Sequence, residues 1–135
     1  MEVIGIGVDL VDVERFKAAL ARWDRRFVDR LFTSGEQAYC DATAQPWIHY
    51  AARFAAKEAV SKAFATGIGA RLRWLDIDVV RDPVSGAPSV RLTGGGRALA
   101  AERGARRVWI SLSHTDRQAI AQAMVTGGGG GGAAT

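Results

Sequence analysis

Three ionisable side chains from two separate stretches could act together on a phosphate group. Asp9 lies near the end of VIGIGVDL, and Glu58 and Lys62 stand four residues apart in WIHYAARFAAKEAVSKAFAT. Two carboxylates, together with waters and substrate phosphates, are the usual way in which proteins hold Mg²⁺. A lysine one helical turn beyond a carboxylate suits a phosphate as a point charge. The sequence therefore predicts a site for a polyphosphate and a divalent cation, with Asp9 and Glu58 as metal ligands and Lys62 beside them.

Further candidates share the second stretch. Arg53 and Lys57 form a cationic pair four residues apart, and at about 100° per residue they fall on the same half of a helix as Ser61, Glu58 and Lys62. These side chains could contact a phosphate-bearing ligand. A solvated helix face would carry the same charges, and a salt bridge between Glu58 and Lys62 is the ordinary alternative.

The two histidines of the chain differ in their sequence context. His114 follows a predicted strand and stands beside Thr115, so the pair could contact a second phosphate; the alternative is that His114 is only a turn residue. His49 has no supporting context and is interpreted as structural. Cys40 is interpreted as a small apolar filler because nothing nearby marks an activating base.

The element that must position these groups is a helix predicted over residues 47–66. This stretch contains neither Gly nor Pro, is rich in Ala, and is bounded by Pro46 and Gly67. The side of the helix opposite the charged residues is apolar but made of small residues, so the helix can pack very closely against a neighbouring element. We expect this face to be buried and the cationic face to project from it.

The rest of the chain predicts an α+β fold, with an antiparallel sheet packed against the long central helix. Predicted strands cover 3–10, 74–81, 88–92, 107–113 and 118–125, the last with a helical alternative because of its alanines. Predicted helices cover 13–22, 24–30 and 97–102, and a further one begins at Thr33 or Ser34 with a capping box over 34–37. Gly5 and Gly7 in the first strand would allow close backbone approach.

Composition limits the classes of function. The 135 residues suit one domain, predicted over 1–126, followed by a disordered Gly-rich tail over 127–135. No apolar run approaches the roughly 20 residues that cross a bilayer, and the acidic start does not resemble a signal peptide. With a single cysteine, the chain can form no internal disulfide. We therefore expect a cytoplasmic protein that does not bind membranes.

A net charge of +4 favours an anionic partner. Six cations and two acids fall within residues 15–30. This segment is either a solvated surface or a docking face for an acidic protein. A non-enzymatic nucleic-acid-binding domain is the alternative function, although the four tryptophans do not cluster with the arginines at the spacing of any known module.

Three blocks of the sequence resemble the bacterial holo-(acyl carrier protein) synthases, which are small 4′-phosphopantetheinyl transferases. The blocks are GIGVDLVDVERF, RFAAKEAVSKAFATGIG and WISLSHTDRQAIAQAMV, in the order of that family and spanning most of the chain. The K-E-x-x-x-K pattern formed by Lys57, Glu58 and Lys62 is the most specific, and SLSH at 111–114 is the next. Ala65 departs from the glycine usual in the family, and Phe64 from the usual leucine.

The resemblance implies an activity and a set of roles. Such enzymes transfer the phosphopantetheine arm of coenzyme A to a serine of an apo acyl carrier protein, release adenosine 3′,5′-bisphosphate, and require Mg²⁺. By motif position, Asp9 and Glu58 would bind the metal and Lys62 the diphosphate. The other residues expected around coenzyme A are Arg53, Lys57, Ser61, His114 and Thr115. Since the serine must lose a proton, Glu58 is the candidate general base, acting directly or through a metal-bound water, and His114 is the alternative.

The resemblance also implies partners. The basic segment would hold the acidic recognition helix of the carrier protein, through Arg15, Arg22, Arg25 and Arg26. The small members of the family are homotrimers with sites at subunit interfaces. One site would then take Asp9 and Glu58 from one chain and other contacts from its neighbour.

Overall fold

The computed structural model describes residues 1–128, which form five strands, five α-helices and one short 3₁₀ turn. The strands are β1 (Glu2–Asp12), β2 (Ile77–Arg81), β3 (Pro88–Leu92), β4 (Ala105–His114) and β5 (Gln118–Gly127). The helices are α1 (Val13–Arg22), α2 (Arg25–Leu31), α3 (Ser34–Asp41), α4 (Pro46–Ala63) and α5 (Gly94–Arg103). The predicted α+β class is confirmed.

The strands form two antiparallel sheets. In the larger sheet the order is β1-β5-β4, with Asp9 opposite Ala121 and His114 opposite Ala119. The smaller sheet is the β2–β3 hairpin. The inner face of β5 carries Ala119, Ala121, Ala123 and Val125, all completely buried. Because these side chains alternate with exposed ones along the strand, β5 is a half-buried strand and the helical alternative is wrong.

Helix α4 lies directly on this sheet, and its backbone closely approaches the backbone of β1. A methyl group at Gly5 would overlap the carbonyl oxygen of Ala63, and one at Gly7 would overlap that of Ala59. Glycine is therefore required at both positions, as predicted, because any side chain would force β1 and α4 apart. Asp9 follows on the same face of β1, since side chains alternate along a strand.

The outer face of the larger sheet is apolar and uncovered by any described residue of the same chain. It carries Ile6, Val8 and Leu10 from β1, each more than half exposed, together with Ile120 and Trp109. An apolar surface of this kind is typical of an interface with another protein or another copy of the chain.

Several element boundaries differ from the sequence predictions. α3 is capped by Thr33 instead of Ser34: the Thr33 side chain accepts from the backbone N–H of Glu36, whose carboxylate accepts from that of Thr33. α4 ends at Ala63, three residues early, and Ala65 has a left-handed backbone with φ 59°. Residues 74–76 form the 3₁₀ turn, which replaces the predicted start of β2.

Two other predictions concern the ends of the chain and membranes. Gly127 belongs to β5, so the domain extends one residue beyond its predicted limit; residues 129–135 of the predicted disordered tail lie outside the described residues. Among residues 1–128, no helix has both the length and the apolar character that crossing a bilayer requires.

Candidate functional site

Asp9 and Lys62 meet where β1 packs against the last turn of α4. The Lys62 Nζ donates to Asp9 Oδ1 at 2.9 Å and to the carbonyl oxygen of Val8 at 3.0 Å. The Lys62 side chain is 50% exposed and that of Asp9 is 17% exposed. The ammonium group is therefore held over the edge of β1 but remains accessible to a ligand from solvent.

Glu58 lies one turn before Lys62 on the solvent-facing stripe of α4. Partial burial raises the pKa of the Glu58 carboxyl, the nearby Asp9 raises it further, and Lys62 lowers it. Asp9 and Glu58 thus share one electrostatic environment although 49 positions separate them in the sequence.

The pair fits a divalent cation of the magnesium type. Within residues 1–128 no cluster of three or more His, Cys, Asp or Glu side chains could enclose a metal ion. Two carboxylates whose mutual repulsion a cation would relieve match the way in which Mg²⁺ is held, with substrate oxygens and waters completing the coordination. Asp9 and Glu58 are the residues that would hold it.

The two carboxylates open onto a cleft of about 430 Å³ between β1, α1 and α4. Arg15 and Arg22 project from α1 into the lining of this cleft, and its apolar wall comes from Phe16, Trp23 and Phe54. The aromatic rings pack on one another, with Phe16 and Phe54 centroids 5.2 Å apart. Two of the four predicted docking arginines therefore stand in the same cleft as the acidic pair.

The other two docking candidates are placed differently. Arg25 is bound by Asp41 at 3.3 Å and lies 3.8 Å from Asp29, so its charge is already compensated. Arg26 is exposed on α2 and does not line the cleft that Arg15 and Arg22 share.

A second group of candidates lies near the other end of α4. His114 ends β4, and its ring centroid is 5.7 Å from that of His49 in the first turn of α4. Arg53 is only 5% exposed, and its guanidinium carbon lies 4.2 Å from the centroid of the Tyr39 ring. Thr115 follows His114 and closes the β4–β5 turn by accepting the backbone N–H groups of Arg117 and Gln118.

Within this second group, His49 is the α4 residue that lies farther from Glu58 in the same chain. His49 and Glu58 are nine residues apart on α4, which corresponds to about 13.5 Å along the helix axis. The His114 ring adjoins that of His49, near the first turn of α4. The two candidate bases are therefore placed differently, with His114 beside His49 and Glu58 in the electrostatic environment of Asp9.

The structure contradicts two predicted contacts with coenzyme A. The Lys57 side chain is completely buried; its Nζ binds Glu36 at 2.8 Å and donates to the carbonyl oxygen of Trp74 at 2.9 Å. Ser61 is also buried, and its hydroxyl donates to the carbonyl oxygen of Glu58 at 2.7 Å. Lys57 points away from solvent because Glu36 of α3 and the Trp74 carbonyl lie against its side of α4.

The cationic face predicted for α4 is therefore narrower than half the helix. Arg53 and Lys57 are buried, and the accessible stripe is Phe54, Glu58 and Lys62. Sequence reasoning did not identify the aromatic wall formed with Phe16 and Trp23, since apolar residues on α1 look the same whether they line a cleft or a core.

Comparison with known proteins identifies the family. The model of the 4'-phosphopantetheinyl transferase superfamily matches residues 5–123. The chain belongs to this superfamily. A protein of Desulforudis audaxviator named holo-[acyl-carrier-protein] synthase is 46% identical over 125 residues, which cover 93% of this chain and 94% of that protein. The resemblance seen in the three sequence blocks is confirmed, and the chain is an enzyme of the phosphopantetheinyl transferase class.

Solved structures agree with this assignment. The holo-[acyl-carrier-protein] synthase of Neisseria meningitidis superposes with a TM-score of 0.84 at 28% identity, covering 92% of this chain and 98% of that one. The Helicobacter pylori enzyme, solved in complex with coenzyme A, superposes with a TM-score of 0.79 at 30% identity, covering 90% and 99%. The fold is therefore that of the synthases along nearly its whole length.

Proposed function

We propose that this enzyme transfers the 4′-phosphopantetheine arm of coenzyme A to a serine of an apo acyl carrier protein and releases adenosine 3′,5′-bisphosphate. One observation carries the proposal. Asp9, Glu58 and Lys62, from two distant parts of the sequence, converge at the mouth of a cleft that also presents Arg15 and Arg22. Phosphate-binding groups and a basic docking surface are thus adjacent, as transfer from a nucleotide to an acidic protein requires.

Glu58 and Lys62 have distinct tasks in this transfer. The serine oxygen forms a bond to the phosphorus of the pantetheine phosphate, and the bond from that phosphorus to the bridging oxygen breaks, so that the bisphosphate leaves with the electron pair. Glu58 accepts the serine proton; its raised pKa brings it nearer to the range in which a carboxylate is an effective base. Lys62 stabilises the charge that develops on the leaving phosphate.

The reaction is proposed to depend on Mg²⁺ held by Asp9 and Glu58. When bound, the ion supplies Lewis-acid stabilisation of the diphosphate. Lys62 keeps Asp9 oriented through its 2.9 Å ion pair, and its own half-exposed side chain is free to turn toward an incoming phosphate. Glu58 has two carboxylate oxygens, which allows metal binding and proton acceptance to be divided between them.

We further propose that one site is built from two protomers of a homotrimer. Arg53 and His114, the remaining candidates for coenzyme A phosphates, lie toward the first turn of α4, whereas Lys62 is in its last turn. From Arg53 to Lys62 is about 13.5 Å along the axis, while a single ribose separates the phosphates of coenzyme A. The apolar outer face of the larger sheet, with Ile6, Val8 and Leu10, supplies the surface that would bring protomers together.

The decisive experiment is Glu58→Gln. This change removes one charge without changing volume, so transfer should be abolished while the fold persists. The protein is incubated with coenzyme A, Mg²⁺ and apo carrier proteins from fatty acid, polyketide and peptide synthesis, and the mass of each carrier is followed. Near-normal turnover by Glu58→Gln at low Mg²⁺ would contradict the proposal, and an unchanged circular dichroism spectrum is the control for folding.

The docking surface has its own test. Arg22→Glu should weaken carrier binding more than coenzyme A binding, because Arg22 lines the cleft from the α1 side. Arg25→Glu should have a smaller effect, since Asp41 already compensates that guanidinium. Calorimetry measures both affinities, and the carrier on-rate should fall with salt. Equal loss of both affinities in Arg22→Glu would contradict the docking role.

A further inference from the structure

The two sheets present free strand edges to the same cleft. Within residues 1–128, β4 is an outer strand of the larger sheet that pairs only with β5, and β3 pairs only with β2. A cleft of about 470 Å³ lies between β3, β4 and α5. None of the residues assigned above to the metal, to coenzyme A or to the carrier protein belongs to its lining. The proposed function therefore does not account for this cleft.

The cleft follows the edge of β4 and not one of its faces. Six consecutive residues of this strand, Ala105–Ile110, line it. Successive side chains of a strand point to opposite faces, so a cleft against one face would be lined by every second residue. Consecutive lining residues therefore indicate that the cleft runs beside the main chain. On that side, every second residue of β4 carries N–H and C=O groups that β5 does not pair.

The lining combines an apolar wall with positive charge. Val108 and Ile110 are only partly buried, so an occupant of the cleft would remove further apolar surface from water. Every charged residue of the lining is an arginine. The Arg107 guanidinium stacks over Trp109, 3.5 Å from the ring centroid, and Arg106 forms none of the ion pairs found among residues 1–128. This charge is complementary to an acidic occupant.

The chemistry of the edge favours a peptide and selects β4 as its template. Pro88 begins β3 and has no N–H group to donate, whereas β4 contains no proline. A lipid chain in the cleft would bury the main-chain groups of the edge without pairing them, which costs free energy. A second copy of β4 would bring arginine against arginine, and edge strands commonly use charge in this way to prevent self-pairing.

We propose that the free edge of β4 binds an extended acidic segment of another protein, which joins the larger sheet as a fourth strand. Main-chain hydrogen bonds along Arg107–Ile110 supply the affinity, as in other cases of strand addition. Arg106 supplies the preference for acidic side chains. Docking at this edge does not require the transfer reaction, so the two proposals can fail independently.

The first test measures peptide binding by fluorescence anisotropy. The probe is a fluorescein-labelled decapeptide of alternating valine and threonine with a central Asp-Glu pair. The unaltered protein should bind it, and should not bind the same peptide N-methylated at every residue, which keeps the charge but cannot donate from its main chain. Equal binding of the two peptides would overturn strand pairing.

Charge reversal tests the role of Arg106. Arg106→Glu should weaken binding of the acidic decapeptide about fivefold, because an attractive cross-strand pair becomes a repulsive one. The matched control is Arg117→Glu, an exposed arginine in the β4–β5 turn, which should leave the affinity unchanged. Equal weakening by both variants would contradict docking at this edge. A changed sedimentation coefficient of Arg106→Glu, with no peptide binding by the unaltered protein, would assign the edge to a second copy and overturn the proposal.

Hydrogen exchange of the unaltered protein locates the peptide without any variant. Amide exchange in Ala105–Ile110 should slow when the acidic decapeptide is added, because free N–H groups gain acceptors. Slowing confined to residues 13–31 would place the peptide on the basic segment of α1 and α2 and overturn the proposal. Slowing in Ala105–Ile110 by dodecanoate but not by the peptide would assign the cleft to a lipid. If the protein modifies a carrier but the peptide protects no β4 amide, the proposed function stands and the docking edge fails.

Discussion

Two lysines of α4, five residues apart, each bind a carboxylate at nearly the same distance, but their surroundings are opposite. The Lys57–Glu36 pair is at 2.8 Å with both side chains fully buried, and the Lys62–Asp9 pair is at 2.9 Å with the lysine half exposed. Glu36 also accepts the backbone N–H groups of Thr33 and Val79, so the buried carboxylate is well satisfied.

The difference in burial indicates that the Lys57–Glu36 pair has a structural role and the Lys62–Asp9 pair a functional one. A buried pair whose remaining hydrogen bonds are satisfied joins elements, here α3, α4 and β2, and breaking it leaves an uncompensated charge in the interior. A half-exposed pair contributes about 0–1 kcal/mol and can exchange its partner for a ligand at little cost. Distance alone cannot distinguish the two, whereas burial and the other hydrogen bonds of the carboxylate can.

The largest effect should come from Lys57→Met, which breaks the buried pair. The Glu36 carboxylate would keep its backbone donors but lose its counter-charge, so the free energy of unfolding should fall by about 3–5 kcal/mol in urea titrations. The double variant Glu36→Gln with Lys57→Met should lose less than the sum of the two single changes, because the residual charge is gone. A loss below about 1 kcal/mol in Lys57→Met would show that the buried pair is not structural.

Lys62→Met should give the converse result. Loss of one donor to the developing phosphate charge should lower kcat by about 10²–10³-fold. The free energy of unfolding should change by about 1 kcal/mol or less, since the pair is half exposed. Mass-spectrometric carrier modification and urea titration measure the two quantities, with Arg97→Met as the charge control. A large loss of stability with kcat intact would reverse the roles of the two lysines.

Just after the end of α4, near Lys62, the backbone adopts a left-handed conformation. Ala65 adopts φ 59°, a conformation that favours glycine because a Cβ atom is strained there. Ala65→Gly should therefore raise the free energy of unfolding by about 1 kcal/mol. A matched Ala59→Gly change, in the interior of α4, should lower it. Destabilisation by Ala65→Gly would mean that its methyl group has a packing role that outweighs the strain.

The smallest predicted effect concerns proton affinity. Lys62 lowers the pKa of Glu58 and Asp9 raises it, so Lys62→Met should shift that pKa upward and Asp9→Asn should shift it downward. Carboxyl ¹³C NMR of metal-free protein measures both shifts. Movement in the same direction by the two variants would contradict a shared electrostatic environment.

The sequence predicted this site better at one end of α4 than at the other. Asp9 and Lys62 could be placed together because a strand and a helix with clear patterns carry them. Lys57 could not be separated from Lys62, because a wheel at 100° per residue puts both in the same half-face. The burial of Lys57 results from the packing of α3 and β2 against α4. The local periodicity of the sequence contains no information about those tertiary contacts.

The fold was predictable where polar and apolar residues alternate, and ambiguous where they do not. β5 could be a strand or a helix because its alanines favour a helix, and its small inner residues are explained by α4 lying against them. The position of His114 beside His49 was equally hidden. Which end of a helix faces which end of a strand depends on how the two elements cross, and local sequence patterns do not reveal it.

The contact of Gly5 and Gly7 with α4 has a consequence for how such an enzyme can diverge. Main-chain atoms, and not side chains, determine the gap between the strand that bears Asp9 and the helix that bears Glu58 and Lys62. Substitutions of side chains that contact neither α4 nor β1 should leave that gap unchanged. The positions of Asp9, Glu58 and Lys62 relative to one another are thereby preserved as the sequence diverges. In return, positions 5 and 7 tolerate no amino acid but glycine.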